Sequence, residues 1–309
     1  MERRESSRGY AASRYPLDRR ADPIGAPRRM ERIEDHVTNT PVVVRSPKRR
    51  GLELRELWDA RELVQILLLR DIQLRYKQTA FGVGWAVGQP LLMMLVFSVF
   101  LSRAAGLHPE SVSYPLFALA ALVPWTFFSQ GLSGAANSML ESESVITKVY
   151  FPRLVIPIAA AGSFLLDLAI GTVVLLVAVV LFGPTPTVAI VAVIPLAAMA
   201  WLATLSVGIG LSAVNVRYRD VRYALPFLTQ LWLFATPVVY SSAAVPENLR
   251  PWLALNPMTG VVEGFQWAVL GIGLRPDVPI VISLLATVTL LVLSVVYFRR
   301  FESTFADVI

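Results

Sequence analysis

Residues 154–182 read LVIPIAAAGSFLLDLAIGTVVLLVAVVLF, 29 positions with one ionisable side chain, Asp167. A helix needs about 20 mostly apolar residues to cross the hydrocarbon core of a bilayer, so this stretch is read as a spanning helix. Five more stretches share its character: Val83–Leu101, Pro115–Met139, Thr187–Ala213, Tyr223–Tyr240 and Pro279–Phe298. Together they predict an all-α polytopic membrane protein with six transmembrane helices.

Composition agrees. The chain has 309 residues, 55% of them hydrophobic, and a mean hydropathy of +0.58. Its net charge of +6 is local, because residues 1–77 hold 18 Lys/Arg against 12 Asp/Glu while the remainder balances. A basic segment ahead of the first span points to the anionic cytoplasmic lipid surface. Nucleic acid is not expected, since base-stacking side chains are not interleaved with these charges. There are no cysteines, which excludes disulfides and thiolate chemistry. His36 and His108 lie far apart, and no cleavable signal follows the early arginines. Lys148, Arg153, Arg217, Arg219, Arg222, Arg299 and Arg300 fall on one side of the six spans, and only Arg103, Arg250 and Arg275 on the other. Positive-inside bias then puts both termini in the cytoplasm of a multi-pass inner-membrane protein.

Four regions follow: an arm over 1–50, an interface helix within 51–80, the membrane domain over 81–300 and a cytoplasmic tail over 301–309. The arm is rich in Arg, Pro and Ser with few large apolar side chains, so it is expected to be flexible. Over Leu54–Gln78, the residues Leu57, Val64, Leu68, Ile72 and Tyr76 share a helical face, interrupted by Arg61, Asp71 and Arg75. An amphipathic helix along the inner membrane surface fits this pattern. The inner loop 141–153 predicts a short helix over Ser142–Phe151 stopped by Pro152, a handle for a partner protein. In the outer connection 241–277, Asn256-Pro257 predicts a helix start, running through Glu263 and Trp267 to Gly271. At about 14 residues and 21 Å it is too short to span. With a shorter piece around Glu247–Leu255 it reads as a pair of re-entrant helices.

No G-x-x-x-x-G-K-[ST] loop, metal-ligand spacing or nucleophile motif occurs, so the chain is not expected to be an enzyme or to hold a cofactor. Asp167 has two readings: a structural hydrogen bond to a neighbouring helix, or a proton or sodium site. The aromatics also have two. They form interfacial belts, or some of them, with Phe81, Trp85, Phe97, Trp125, Phe128 and Tyr240 as candidates, line a conduit where ring faces stack on sugars.

Four stretches resemble the membrane subunit of ABC-2-type polysaccharide exporters, the group of O-antigen and teichoic-acid permeases. They are Arg75-Tyr76-Lys77-Gln78-Thr79-Ala80-Phe81-Gly82-Val83-Gly84-Trp85, Ile146-Thr147-Lys148-Val149-Tyr150-Phe151-Pro152-Arg153, Asn215-Val216-Arg217-Tyr218-Arg219-Asp220, and Pro237-Val238-Val239-Tyr240 followed by Val245-Pro246 and Asn256-Pro257. Phe81 stands where the group usually has Leu. Arginine-rich usage and the long arm are similar to actinobacterial members, among them a mycobacterial galactan permease.

The resemblance implies a homodimer with two copies of a separate ATPase, which binds Mg-ATP, and a polyprenyl-linked glycan as cargo. It implies ATPase coupling through Glu143, Val145, Ile146, Lys148, Phe151, Pro152 and Arg153. Arg75, Tyr76, Arg217, Arg219 and Asp220 would shape a cytoplasmic entrance, and Pro246, Asn256, Pro257, Glu263 and Trp267 an outer gate. Two rivals stand beside it: an ABC-2 exporter of a drug or small lipid, and a gradient-driven carrier using Asp167.

Overall fold

The computed structural model describes residues 54–77, 84–101, 112–146, 151–185, 187–272, 277–302 and 305. The expected arm over 1–50, together with Phe81, His108 and Lys148, lies outside these residues. Among the described residues all regular structure is helical. Two helices lead into the bundle, α1 (Leu54–Asp59) and α2 (Arg61–Lys77). They are followed by α3 (Gly84–Leu101), α4 (Tyr114–Glu141), the one-turn α5 (Glu143–Ile146), α6 (Val155–Gly162) and α7 (Leu165–Phe182). A 3₁₀ turn over Val188–Ala192 opens α8 (Val193–Arg217), and then come α9 (Val221–Ala235), α10 (Arg250–Ala254), α11 (Thr259–Leu270) and α12 (Asp277–Phe301).

Among the described residues, five helical segments are long and apolar enough to cross a membrane: Gly84–Leu101, Tyr114–Glu141, Val155–Phe182, Val188–Arg217 and Val278–Phe301. The expected fifth span, Tyr223–Tyr240, forms a helix shorter than its apolar run. Its helix α9 has 15 residues, a rise of about 22 Å against a hydrocarbon core of about 30 Å. The stop is local: Pro237 disfavours helix at Thr236, whose backbone is extended.

The third span is a single apolar run but not a single helix. It breaks at Ser163 and Phe164 between α6 and α7, where the Ser163 hydroxyl donates back to Ala160 O at 2.8 Å. Such back-bonding bends helices. The expected surface helix is likewise two pieces, α1 and α2, meeting at Ala60.

α4 is the axis of the subunit. Most of its side chains are buried, and it packs against α3, α6, α7, α8, α9 and α11. In lipid, helices associate through close van der Waals packing, so small residues mark the tightest contacts. A Cβ on Gly208 of α8 would lie 2.7 Å from the Ala135 Cβ of α4, and one on Gly134 would lie 2.5 Å from the Phe164 ring. Polar bonds supplement the packing: Asn215 Nδ2 donates to Ala136 O at 2.9 Å, and Ser294 Oγ of α12 to Ser206 O at 2.5 Å. Two apolar clusters result. The larger surrounds α4, α8 and α11, and the smaller joins α2, α6, α8 and the end of α12.

Candidate functional site: the inner clamp and the outer corner

At the end of the bundle expected to face the cytoplasm, called inner below, α2 lies on α6. Leu67 is buried, and Leu63, Val64 and Leu68 pack into the same cluster. A Cβ on Gly162 would meet Leu68 Cδ1 at 3.0 Å, so the last turn of α6 is shaped to receive that side chain. The charges that interrupt the apolar face of α2 have partners. Asp71 accepts from Arg70 at 2.8 Å. Arg75 reaches the break in the third span, where Nη1 donates to Asp167 Oδ2 at 2.8 Å and Nη2 to Ser163 Oγ at 2.8 Å. Its guanidinium lies 3.4 Å from the centroid of the Phe164 ring, a cation–π stack. Tyr76 donates its hydroxyl to the other Asp167 oxygen, and burial followed by this bond pushes the phenol well above its usual range.

This cluster settles what holds Asp167. The carboxylate sits in the first turn of α7, where the helix dipole favours an anion, and both its oxygens are engaged. The pairing with Arg75 and Tyr76 fits the structural reading of Asp167.

Of the expected 142–151 helix, the described residues include the turn Glu143–Ile146, with Ile146 buried, while 147–150 lie outside them. The Pro152 carbonyl accepts from Val155 N at 3.1 Å at the start of α6. Phe151 packs on the smaller apolar cluster, and Arg153 bonds to Glu302 at the end of α12. Glu143 is exposed; the side chain of Val145 lies outside the described residues.

The α8–α9 turn forms a separate patch. Arg217, Arg219, Asp220 and Arg222 are exposed. Arg217 lies 5.3 Å from the Tyr218 ring centroid and 5.9 Å from that of Phe301, while the Asp220 carbonyl starts α9. Asn215, four residues before Arg219, is fully buried and ties α8 to α4.

At the other end, Asn256 fastens three segments. Its Oδ1 accepts from Trp232 Nε1 and from Met258 N, both at 3.0 Å, and its Nδ2 donates to Thr236 Oγ1 at 2.8 Å. Asn256 is not the cap of α11, whose N-cap is Met258 without a side-chain cap bond; it instead closes the turn through buried Pro257 that precedes the helix start at Thr259. Ser283 of α12 holds the same corner: its Oγ accepts from Gly260 N at 3.0 Å and lies 2.9 Å from the Ala254 carbonyl. A Cβ on Gly260 would meet Ile280 Cα at 2.9 Å. α11 ends at Gly271, whose φ of 65° is left-handed and suits glycine. α11 is buried almost throughout, with Trp267 half-buried. Burial raises the Glu263 carboxyl of α11 above its usual range, against a smaller lowering by the Ser242 hydroxyl. Pro246 is exposed and its carbonyl accepts from Leu249 N. An open hollow of about 390 Å³, lined by Trp232, Tyr240, Val245, Leu249, Trp252 and Asn256 among others, lies beside this corner.

The candidate conduit aromatics divide. Trp125 and Phe128 are 3% and 0% exposed. They stack on each other at 5.4 Å, and Phe128 on Trp232 at 5.1 Å, inside the subunit. Phe97 packs on the same core. Trp85 is exposed and Tyr240 half-buried. The large exposed rings include Tyr223, Phe227, Phe234 and Trp252, which carried no distinguishing sequence signal beyond their place in apolar runs.

The family model described as ABC-2 type transporter matches residues 62–270, which include the inner clamp, the loop and the Asn256 side of the outer corner. The chain belongs to the ABC-2 type transporter family. This ABC-2 chain is 31% identical over 216 residues to the O-antigen export system permease protein RfbA of Myxococcus xanthus, covering 69% of this chain and 82% of the relative. A Klebsiella pneumoniae protein of the same name is 26% identical over 206 residues, 66% of this chain and 79% of the relative. The polysialic acid transport protein KpsM of Escherichia coli is 25% identical over 211 residues, 67% and 81% respectively. The ABC-2 chain is accordingly a transport component rather than an enzyme.

Proposed function

We propose that this chain is the permease of an ATP-driven exporter that moves a lipid-linked polysaccharide across the cytoplasmic membrane, both termini inside. The observation that carries the reading is its similarity, over most of their length, to permeases named for O-antigen and polysialic acid export. Two copies would enclose one conduit and two copies of a separate ATPase would bind below. α9 supports the pairing. It buries only Leu225, Thr229 and Leu233, one narrow stripe, and leaves Tyr223, Phe227, Leu231 and Phe234 for a second copy or for lipid.

In this scheme the ATPase pushes on the 143–153 loop and on α2. The inner clamp carries the movement of α2 to the break in the third span. The outer corner, held by Asn256 and Ser283, acts as the gate. This is a two-state coupling driven by the partner's nucleotide cycle, with no bond chemistry in the permease.

The test is to purify the permease with its partner. The isolated chain should hydrolyse no ATP, an ATPase should co-purify, and depletion should leave the polymer's lipid-linked precursor inside the cell. Phe151→Asp should weaken partner binding and export. Export by the isolated chain in vesicles, or normal export by the Phe151→Asp variant, refutes the assignment. Depletion that leaves surface polymer unchanged but blocks efflux of a small lipid or drug would reassign the cargo.

A further inference from the structure

Two helix ends with opposite partial charges meet at the inner face. A helix start favours an anion and a helix end a cation, because their terminal backbone N–H and carbonyl groups have no intrahelical partner. Val155 N and Ile156 N bond to Pro152 O and Arg153 O, which leaves Arg153 N one position upstream. Glu302, just past the end of α12, supplies its acceptor: Arg153 N donates to Glu302 Oε1 at 3.0 Å. In return the Arg153 guanidinium donates to the Glu302 backbone carbonyl. Each helix end caps the other, an anion at an N-terminus and a cation at a C-terminus, both the favourable sign for the dipole.

The joint is backed by packing. Phe298 and Phe305 stack edge to face at 5.2 Å. They are 0% and 3% exposed and share a cluster with Ile146, Leu154 and Val155. The loop and the end of α12 therefore form one packed unit. The rest of α12 is held differently, by α8 along its length and by α11 at the outer corner.

We propose that Glu302 is the positioning residue that ties the inner loop to the last spanning helix, so that α12 moves with the loop throughout the transport cycle. This rests on the reading of the chain as a permease driven by an ATPase. It adds a second line from the loop to the outer corner, because Ser283 of the same helix holds the turn before α11.

The natural absence of cysteine allows a direct test. In the assembled permease–ATPase complex, ATP hydrolysed per polymer exported is measured for the wild type, Glu302→Gln, Glu302→Ala and the double variant Arg153→Cys/Glu302→Cys. Gln retains the acceptor oxygen and should keep the wild-type ratio. Ala should raise the ratio about fivefold or more, the lower end of typical allosteric couplings, with the amount of co-purified ATPase unchanged. The reduced double variant should behave like Ala, and joining its two thiols with a short bifunctional reagent should restore the wild-type ratio.

A wild-type ratio in Glu302→Ala overturns the proposal, whether export is normal or lost in proportion to hydrolysis. So does a cross-link that fails to form or that stops export. If Glu302→Ala does not assemble, the cross-linked double variant decides. A wild-type chain that recruits no ATPase would refute the permease assignment itself, a separate result.

Discussion

Removing the Asp167 carboxylate tests the inner clamp most sharply. The side chains of Arg75 and Asp167 are 28% and 12% exposed, so the pair is neither fully screened nor fully dry. Breaking a fully buried pair costs about 3–5 kcal/mol, and an exposed one under about 1 kcal/mol. With one charge-assisted bond to Arg75 and a second bond to Tyr76 lost, Asp167→Ala should cost about 3 kcal/mol. Asp167→Asn can still accept from Arg75 and donate to the Tyr76 oxygen, so only the charge is lost, about 1.5 kcal/mol.

For a chain of this size, 1 kcal/mol corresponds to about 2–4 °C in Tm. Thermal unfolding of the detergent-solubilised protein should thus fall by about 6–12 °C for Ala and about half that for Asn. Arg75→Ala should lose a similar amount, and the Arg75→Ala/Asp167→Ala double variant less than the sum of the two, because the second removal finds no partner left. Additive losses, or an Asp167→Ala variant that melts like the wild type, would refute the clamp. Abolished transport in a folded, ATPase-bound Asp167→Asn variant would revive the gradient-driven carrier, as would arrest by a proton ionophore with ATP plentiful.

At the outer corner, Asn256→Ala removes bonds to Trp232, Met258 and Thr236 together and should cost about 2–3 kcal/mol. The indole loses its acceptor, so a shift in Trp232 fluorescence and faster proteolysis between Ser241 and Arg250 are expected; unchanged fluorescence and cleavage would contradict the fastening role. Glu263 has a raised pKa from burial, so the folded chain binds this proton more tightly than the unfolded chain does. Stability should therefore fall as pH rises from the ordinary carboxylate value through the raised one, and remain lower above it. Glu263→Gln should raise Tm at neutral pH, with the gain shrinking on acidification; a pH-independent gain would contradict this.

Where the sequence was legible, the signal was periodic or local. Long apolar runs located α3, α4, α8 and α12 within a few residues, and Asn256-Pro257 with Gly271 bounded α11. The breaks were harder to see. Ser163 and Phe164 interrupt an apolar run where Arg75 of another helix hydrogen-bonds to Ser163, and no local pattern records that distant partner. The same cause hid the role of Arg75: as a single charge on an apolar face it looked like a flaw in amphipathicity, and its partner Asp167 lies far away in sequence. Trp125 and Phe128 looked like Trp85 because hydropathy distinguishes apolar from polar, not subunit interior from surface. The short α9 was foreshadowed by Thr236-Pro237 within its apolar run.

The two polar fastenings share a design that bears on how such a bundle can move. In lipid, apolar faces slide with little change in solvation, because acyl chains and leucine side chains are equally apolar. What fixes a helix in register is therefore its few polar bonds and its closest backbone contacts. Here those are concentrated on α4 and α8, through Asn215, Gly208 and Ala135, and at the two ends, through Arg75–Asp167 and Asn256–Ser283. The perimeter between the ends, the outward faces of α3, α7, α9 and α12, is almost wholly apolar. On the proposed coupling, a push at the inner face would travel along α6–α7 and α12, whose ends carry the Arg75–Asp167, Arg153–Glu302 and Asn256–Ser283 joints, rather than being lost in the central pair.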